Sequence, residues 1–386
     1  MPSRRSLLIA GGATLLVIGA GSASVTMRDA PTAREPWSQA GQRFDDARLD
    51  ALAFAILAPN PHNRQPWWVR LDGEDRLTLF CDLDRRLPQT DPFDRQITIG
   101  LGAFLELLRM AAQADGHRLE TTLFPLGDGE PRLDQRPVAN VRFVRDPDAG
   151  TDPLFAHVTD RRTVRAPFRN DRPVSTDDLG ELDRLAGAIP GVQRRTSSDA
   201  ALVETVKPHL HQAWHIEYDT SRTHAESLAL TRIGAAEVAA NPDGISLYGP
   251  IMEAWHGLGL LSHANLTRTD SLAARGELEF YDSAIGSTQA FAWLETASND
   301  RVAQIYTGAA WLRTHLAATA HGLAFHPLSQ ALQEFPEMAD VYNAVHALLG
   351  VVAPSRIQGL FRLGYVDSVP RPAPRWPMET RLMPLA

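Results

Sequence analysis

The sequence predicts an α+β fold that is internally duplicated, a single-chain pseudo-dimer in which helices flank an antiparallel or mixed sheet. One observation is a repeat: residues 99–116 and 305–322 align without gaps, and seven of the eighteen positions are identical. Both segments are alanine-rich, carry apolar residues at helical spacing and end at a glycine, which suits the left-handed end of a helix. A second observation is a strand-like run after each helix, at 141–144 and 360–363. Fusion of a dimer leaves such a repeated helix and strand.

The repeated helices share small residues that permit close packing. Gly102 matches Gly308 in the alignment, so the two helices are expected to meet across a pseudo-twofold axis. We therefore divide the chain into a first half, residues 36–150, and a second half, residues 151–386. The second half is predicted to contain a lid at 241–289.

Local signals predict the elements of the first half in order. Residues 45–58 carry an apolar face typical of a helix. Residues 67–82 alternate in polarity and turn at Asp72-Gly73, which predicts a hairpin with Cys81 buried. Residues 97–114 form the first repeat helix, and glycine and proline interrupt the chain over 116–153.

Three helices are predicted before the lid. Ser175 begins one that reaches about Ala186, Asp199 begins another that reaches about Thr220, and a third covers 224–240. Residues 241–289 begin Asn-Pro-Asp-Gly and are amphipathic but interrupted by glycines, which is typical of a lid.

The N-terminus carries an export-type pattern. Residues 3–8 read Ser-Arg-Arg-Ser-Leu-Leu before an apolar, glycine-rich stretch, and Gly21 and Ala23 suit a cleavage site. The pattern resembles a twin-arginine signal, which predicts export by the twin-arginine translocation machinery to the periplasm or another extracytoplasmic location. A Sec signal and an uncleaved anchor are alternatives, because residues 6–25 are long enough to span a bilayer. Residues 1–35 are assigned to the signal and linker.

Composition excludes several function classes. The net charge of −8 argues against nucleic acid and anionic membrane as partners, and no later segment is expected to span a membrane. Lys207 is the only lysine, which disfavours a phosphate-binding P-loop or a pyridoxal Schiff base. The chain contains no Gly-x-Gly-x-x-Gly and no Gly-x-Ser-x-Gly, so neither a Rossmann dinucleotide fold nor a serine hydrolase is supported. A single cysteine permits no internal disulfide.

Histidine spacing raises a metal site as an alternative. His211 and His215 are four residues apart on a predicted helix, with His209 nearby. Because no acidic or cysteine ligand stands at a matching spacing, we predict no metal.

Two polar segments about a hundred residues apart suit a phosphorylated heteroaromatic ligand. Residues 161–165 read Arg-Arg-Thr-Val-Arg and offer forked cationic donors beside a hydroxyl, as a phosphate requires. Residues 58–67 read Ala-Pro-Asn-Pro-His-Asn-Arg-Gln-Pro-Trp, in which the amides of Asn63 and Gln65 both donate and accept, as a pyrimidine edge requires. A solvated basic turn and an ordinary strand-entry turn are the alternatives for each segment alone.

Together the two segments resemble the signature segments of the FMN-dependent nitroreductase family. The insertion beginning at Pro242 adds a resemblance to its Acg-type branch of fused, lidded, single-chain members, and the likeness covers about residues 45–378. In ordinary members the arginine segment comes first and the two partners of a homodimer share each FMN. The reversed order implies a nitroreductase-like fold with one composite FMN site in a monomer or weak homodimer.

The resemblance also implies site residues. Those assigned to FMN are Pro59, Asn60, Asn63, Arg64, Gln65, Arg161, Arg162, Thr163, Arg165 and Arg375. Arg375 matches a basic residue that returns to the phosphate, and Arg64 takes the place of a lysine near the pyrimidine. Asn60 and Thr163 stand where serine is usual. A backbone N–H from Ala324, Phe325 or His326 is expected at flavin N5.

The implied activity is ping-pong hydride transfer. NAD(P)H or another reductant would reduce the flavin, which would then reduce a nitroaromatic, quinone or similar small aromatic acceptor. A lidded protein that sequesters FMN without turnover is the main alternative, and a scaffold without flavin is a third.

Overall fold

The structure is a computed structural model that describes residues 30–268 and 270–384. The export-type pattern at the N-terminus lies outside the described residues.

The first half forms an antiparallel sheet around a long helix. Its elements are α1 (Glu35–Gln39), α2 (Ala47–Ala55), β1 (Trp67–Asp72), β2 (Arg76–Cys81), α3 (Arg95–Ala114), β3 (His117–Leu123) and β4 (Ala139–Arg145). The strand order is β1-β2-β4-β3. Cys81 is buried and unpaired, as its place in the predicted hairpin indicates.

The second half is interrupted by a large insertion. It opens with α4 (Thr176–Ala186) and β5 (Val192–Ser197). The insertion, residues 198–289, contains α5 (Ala200–Asp219), α6 (Ser221–Ala229), β6 (Thr231–Ile233), α7 (Gly234–Ala240), β7 (Ile245–Leu247), α8 (Pro250–Gly257), α9 (His263–Thr267) and α10 (Leu272–Gly286). The chain then continues through β8 (Ala290–Thr296), α11 (Arg301–Ala320), β9 (Ala324–Pro327), α12 (Ala339–Leu348) and β10 (Arg356–Gly364).

The two halves have the same topology. The second sheet has the order β5-β8-β10-β9, which matches β1-β2-β4-β3 strand for strand, and both sheets are antiparallel. In each half a long helix follows the second strand, α3 in the first and α11 in the second. The α+β class predicted from the sequence is confirmed. The insertion occupies the position of the tight turn between β1 and β2.

Helices α3 and α11 touch through their backbones. A β-carbon built on Gly102 would lie 2.1 Å from the carbonyl oxygen of Ile305, and one built on Gly308 would lie 2.1 Å from that of Ile99. This reciprocity is the signature of a twofold-related contact, in which residue i meets j and j meets i. The core around the helix pair is continuous, since apolar residues of both halves belong to one buried cluster.

Helix α3 corrects one sequence expectation. It is the one helix in the described ranges that is long and apolar enough to cross a membrane, although no later segment was expected to pass that test. Because 83% of its apolar window is buried inside the protein, packing against α11 and α2 accounts for its composition.

The predicted helix over 224–240 is wrong. The chain leaves α6 at Ala229, forms β6 parallel to β7, and re-enters a helix at Gly234. Gly234 has a φ of +79°, which the interior of a helix does not permit. The strand that pairs with β6 is β7, which lies further along the chain. Strand β3 was also not predicted, because residues 116–153 were expected only to be interrupted by glycine and proline.

A buried carboxyl within the insertion makes stability depend on pH. Glu217 on α5 accepts a hydrogen bond from Gln333 (2.8 Å), and burial raises its pKa from 4.5 to about 7. The folded protein therefore holds this proton more tightly than the unfolded chain does. The free energy of unfolding should fall by roughly 3 kcal/mol as pH rises from 4.5 to about 7.

Glu217→Gln should remove most of that pH dependence, because the neutral amide cannot ionise. Urea unfolding at pH 5 and pH 8 measures the effect, and Glu204→Gln on the exposed side of α5 is the matched control. An unchanged pH dependence in Glu217→Gln would show that Glu217 is not the group responsible.

Candidate functional site

The two polar segments predicted from the sequence meet at one backbone carbonyl. The oxygen of Leu57, just before the proline-rich loop, accepts hydrogen bonds from Arg161 (2.8 Å) and Arg375 (3.0 Å). The loop, the arginine motif at 161–165 and the C-terminal segment therefore form one site, although they lie far apart in the chain.

The proline-rich loop carries strained backbone. His62, Asn63 and Gln65 have φ values of +47°, +50° and +52°, in the left-handed region that residues other than glycine rarely adopt. Such conformations persist where surrounding contacts enforce them, and they concentrate at functional sites. Pro59 and Asn60 enter the loop half-buried.

The loop amides bind the protein itself. Asn63 donates to the carbonyl of Pro374 (2.9 Å) and accepts from Arg375 (2.6 Å). Gln65 donates to the carbonyl of Pro242 (2.8 Å) and accepts from the backbone of Trp376 (2.9 Å). In the structure the two amides fasten the C-terminal segment and the insertion, and the expectation that they face a pyrimidine edge stays a prediction.

Asn60 has a local role. Its side-chain oxygen accepts a hydrogen bond from the backbone of Gln65 (2.7 Å), and its amide donates to the carbonyl of Ala58 (3.1 Å). These bonds close the turn in which the strained residues lie.

Arg64 shares the carboxylate of Asp243 with Arg85 and Arg232. Its guanidinium lies 3.6 Å from the carboxylate of Asp243 and donates to the carbonyls of Asp84 and Arg85. Burial is the main cause that lowers the pKa of Arg64. Arg64 thus has a structural role beside the insertion, and its expected role beside a reduced flavin ring stays a prediction.

Three arginines surround one indole. The guanidinium carbons of Arg161, Arg162 and Arg375, which we call the arginine cluster, lie 5.8, 5.0 and 5.4 Å from the ring centre of Trp37. Trp37 lies on α1 and is only 8% exposed. None of the three arginines forms an ion pair with a carboxylate in residues 30–268 or 270–384.

The arginine cluster is electrostatically uncompensated. Burial, and then repulsion from Arg162, lowers the pKa of Arg161 to about 9. Burial, followed by repulsion from Arg161 and Arg162, holds the pKa of Arg375 well below its ordinary value. Buried charge of one sign without a partner is unfavourable, so the cluster favours a bound anion.

Arg375 provides charge rather than free donors. All five of its N–H groups donate within the protein, to Asn63 and to the carbonyls of Ile56, Leu57, Ala58 and Pro374. Arg161 donates to Leu57 and contacts His315 (3.4 Å). Arg162 donates through one nitrogen to two carbonyls, and its second terminal nitrogen has no hydrogen-bond partner among the described residues.

The arginine motif runs beside β9. Thr163 pairs with Phe325 in a parallel bridge, and the N–H of Val164 donates to the carbonyl of Phe325 (3.0 Å). Ala324, Phe325 and His326, the segment expected near flavin N5, are all buried along this edge. The prediction of a backbone donor at N5 stays a prediction.

Arg165 is the one exposed cation of the motif. Its side chain forms no hydrogen bond or ion pair with any described residue. Its charge adds to burial in lowering the pKa of His62 to about 4 and that of His326 well below its ordinary value. Arg165 therefore lies near two histidines whose rings are neutral.

Sequence reasoning missed Arg362. This fully buried side chain donates to the carbonyls of Arg165 (2.9 Å) and Ala166 (2.8 Å) and to Nδ1 of His326 (2.8 Å). It fixes the end of the arginine motif and leaves the hydrogen of the neutral His326 ring on Nε2. The sequence feature that could have indicated this role is the position of Arg362 within an otherwise apolar run, residues 360–363.

Sequence reasoning also missed Tyr281, on the insertion. Its ring stacks on Trp214 (centroids 4.2 Å apart) and lies 6.3 Å from the ring of His326. The insertion therefore borders the space beside Arg165. Nothing in the sequence of α10 distinguishes Tyr281 from its neighbours.

His211 and His215, considered above as metal ligands, contact a carboxylate from another helix. Asp282 on α10 lies 2.8 Å from His211 and 3.2 Å from His215, a partner that spacing along α5 did not reveal. No group of three or more metal-ligating side chains suited to an ion is found in the described part of the chain.

Curated proteins resemble the chain over different lengths. No protein-family model matches it. An uncharacterized protein of Mycobacterium tuberculosis is 36% identical over 31% of this chain, a match that spans 35% of that relative. A putative NAD(P)H nitroreductase of the same organism is 28% identical over 87% of this chain and 94% of its own length. The nitroreductase family is supported.

Other nitroreductase-family comparisons are more local. The putative NAD(P)H nitroreductase acg of the same organism is 38% identical, over 21% of this chain and 24% of its own length. A solved nitroreductase-like protein from Bacillus cereus covers 61% of this chain and 97% of its own, with 17% identity and a TM-score of 0.34, too low to carry an argument.

Proposed function

We propose that the chain is an FMN-binding oxidoreductase of the nitroreductase type, which passes hydride from NAD(P)H to a small aromatic acceptor. The arginine cluster carries the proposal, because three arginines without a carboxylate partner suit a phosphate dianion. The putative NAD(P)H nitroreductase of Mycobacterium tuberculosis that resembles 87% of this chain supports the same function.

The residues present fit FMN at both ends. The arginine cluster would hold the phosphate, chiefly through the charges of all three arginines and the second terminal nitrogen of Arg162. Thr163 and Arg165 continue from the cluster toward His62 and His326, so the exposed Arg165 cation would lie beside the ring. Bound FMN supplies reversible acceptance of hydride.

The chain's own groups would orient the reaction. Arg165 offers a fixed positive charge where a reduced ring becomes anionic, which favours the reduced state. His326, held by Arg362, presents its Nε2 hydrogen as a donor. The insertion covers this region through Tyr281 and limits the entry of water.

The first test is flavin content. Purified mature protein is expected to be yellow and to release FMN rather than FAD on denaturation, at one FMN per chain even when light scattering shows a monomer. A colourless protein that binds no FMN would overturn the proposal, and two FMN per chain would overturn the single composite site.

The second test removes two motif arginines together. Arg162→Ala with Arg165→Ala should weaken FMN binding roughly 10²- to 10⁴-fold, since each lost charge-assisted contact costs roughly 1.5 to 3 kcal/mol. Isothermal titration with FMN measures the loss. The exposed Arg268→Ala on the insertion is the control and should change nothing. Equal affinity in the double variant would show that the phosphate lies elsewhere.

A lidded FMN store is the second candidate. It is favoured by the contacts that fasten the insertion to the proline-rich loop, Gln65 to Pro242 and Gly244 to Asn63 (3.3 Å). Anaerobic stopped-flow mixing with NAD(P)H separates the two. Rapid bleaching of the flavin in the intact protein eliminates the store, whereas a fully loaded protein that no reductant bleaches eliminates the enzyme.

Export remains part of the proposal. We propose that the arginine pair at residues 4 and 5 directs the folded, FMN-loaded chain through the twin-arginine machinery to the periplasm or an equivalent compartment. The Acg-type branch and the lid role of residues 241–289 are proposed with it. Arg4→Lys with Arg5→Lys should retain the protein in the cytoplasm, as fractionation measures. Continued export would favour the Sec alternative.

A further inference from the structure

Trp37 occupies the centre of the arginine cluster. Its ring centre lies within 5.0 to 5.8 Å of all three guanidinium carbons. An indole face attracts cations, so the ring partly offsets charges that no carboxylate matches.

A phosphate that reached all three arginines would compete with the indole for space. Arg161 and Arg375 are buried, at 4% and 3% exposure, so protein covers their other sides. Their remaining contacts are to backbone carbonyls, Asn63 and His315. The indole therefore covers a side of the arginine cluster that all three guanidinium groups border.

The segment that carries Trp37 lies at the N-terminal boundary of the first half, before α2. Residues 30–39, which we call the N-terminal strap, contain α1 and a short 3-10 turn at Thr32–Arg34. They belong to the folded body, although the sequence assigns residues up to 35 to a signal and linker. Ala30 and Ala33 pack against Ala235 and Val238 of α7.

Two hydrogen bonds join the strap to the C-terminal segment. The indole N–H of Trp37 donates to the carbonyl of Ala373 (2.8 Å), and the N–H of Arg375 donates to the carbonyl of Ala33 (2.8 Å). The strap thus contacts both the segment that positions Arg375 and the insertion.

We propose that Trp37 gates the arginine cluster: the indole occupies the anion position until a phosphate group displaces it and the strap. The inference rests on the proposed function only in identifying that phosphate as the terminal group of FMN. In the closed form the indole serves as an internal substitute for the anion. Only molecules in the open form bind the anion. The association rate and the apparent affinity therefore fall in proportion to the open fraction.

The experiment compares Trp37→Ala, Trp37→Leu and Trp37→Phe with the wild type. FMN association is followed by stopped-flow quenching of flavin fluorescence, and inorganic phosphate binding is followed by ³¹P NMR. Leucine keeps apolar bulk for packing but loses the cation contacts, and phenylalanine keeps an aromatic face. Trp255→Ala, at an exposed position on α8, is the matched control. Thermal unfolding of each apo-protein shows whether it is folded.

Loss of the gate should accelerate FMN association about tenfold or more in Trp37→Ala and Trp37→Leu, as expected when a mostly closed population opens. Both variants should also bind inorganic phosphate more tightly than the wild type. Trp37→Phe and Trp255→Ala should behave like the wild type. Faster association in the leucine variant, if only that variant is folded, is sufficient support.

The opposite results are equally specific. Slower association or faster release of FMN in Trp37→Ala would make Trp37 a wall of the site and overturn the gate. Unchanged binding of both FMN and phosphate would overturn it too, while FMN binding by the wild type would leave the proposed function standing. Phosphate binding that is gained without any FMN binding would support the gate and refute the flavin. Folded variants that bind neither ligand would refute both.

Discussion

Asp243→Ala is expected to release the insertion from the body of the protein. Asp243 is 4% exposed and its carboxylate lies 2.7 Å from Arg85, 2.8 Å from Arg232 and 3.6 Å from Arg64. These arginines come from both the body and the insertion. Breaking a buried ion pair from one side costs roughly 3 to 5 kcal/mol, because unpaired charge stays buried.

The expected result is local opening before global unfolding. Limited trypsin digestion should cleave Asp243→Ala after Arg232 and Arg268 well before the wild type. Asp270→Ala is the control, because Asp270 and Arg268 form an exposed pair, and exposed pairs contribute about 0 to 1 kcal/mol. Equal digestion rates for Asp243→Ala and the wild type would show that other contacts hold the insertion.

The opening would also act on the candidate site. Pro242, next to Asp243, accepts the hydrogen bond from Gln65, and Gly244 donates to Asn63. A released insertion therefore frees the side-chain N–H of Gln65 and the backbone carbonyl of Asn63, while Asn63 keeps its side-chain contacts to the C-terminal segment. If the protein is a store, Asp243→Ala should become reducible by NAD(P)H, whereas an enzyme should already be reducible before the change.

Features set by neighbouring residues were predictable from the sequence. The helix at Thr176–Ala186 begins at Ser175 with a capping box, and the hairpin of β1 and β2 turns at Asp72-Gly73. Each depends on contacts a few residues apart, which the chain displays directly. The repeat was readable for a related reason, since duplicated helices retain matching glycines.

Features set by distant partners were not predictable. Strand β6 is only three residues long and exists because β7 pairs with it. The insertion begins at about residue 198 rather than 241, which becomes visible only when β5 and β8 are matched to β1 and β2. A helical pattern over 224–240 could not reveal a break whose stabilising partner lies elsewhere.

The candidate site also has features that could be predicted from the sequence and features that could not. The sequence indicated which residues converge, and Arg161, Arg375 and Asn63 do meet around Leu57 and Ala58. It did not indicate which groups remain free for a ligand. Asn63 reaches Pro374 across 311 positions and Gln65 reaches Pro242 across 177, so the amides are occupied by segments that no local pattern connects to them.

Gly308→Ala should destabilise the fold strongly, because a methyl group there enters the backbone of α3. The added carbon would lie 2.1 Å from the oxygen of Ile99 and 2.5 Å from the nitrogen of Ala103. Neither backbone atom can rotate away, so the helices must separate and the shared core must open. We expect a loss of about 3 kcal/mol or more, at or above the usual range for overpacking. Urea unfolding measures it.

The duplication makes this prediction stricter, because Gly102→Ala meets the equivalent oxygen of Ile305 at the same 2.1 Å. The two variants should therefore lose similar stability. The double variant should lose less than the sum, since helices that have separated for one methyl group accommodate the second. Gly276→Ala on α10 is the control: nothing lies within 4 Å of its added carbon, and alanine stabilises a helix interior by roughly 0.5 to 1 kcal/mol relative to glycine. Unequal losses, or fully additive ones, would contradict a close contact shared across a pseudo-twofold axis.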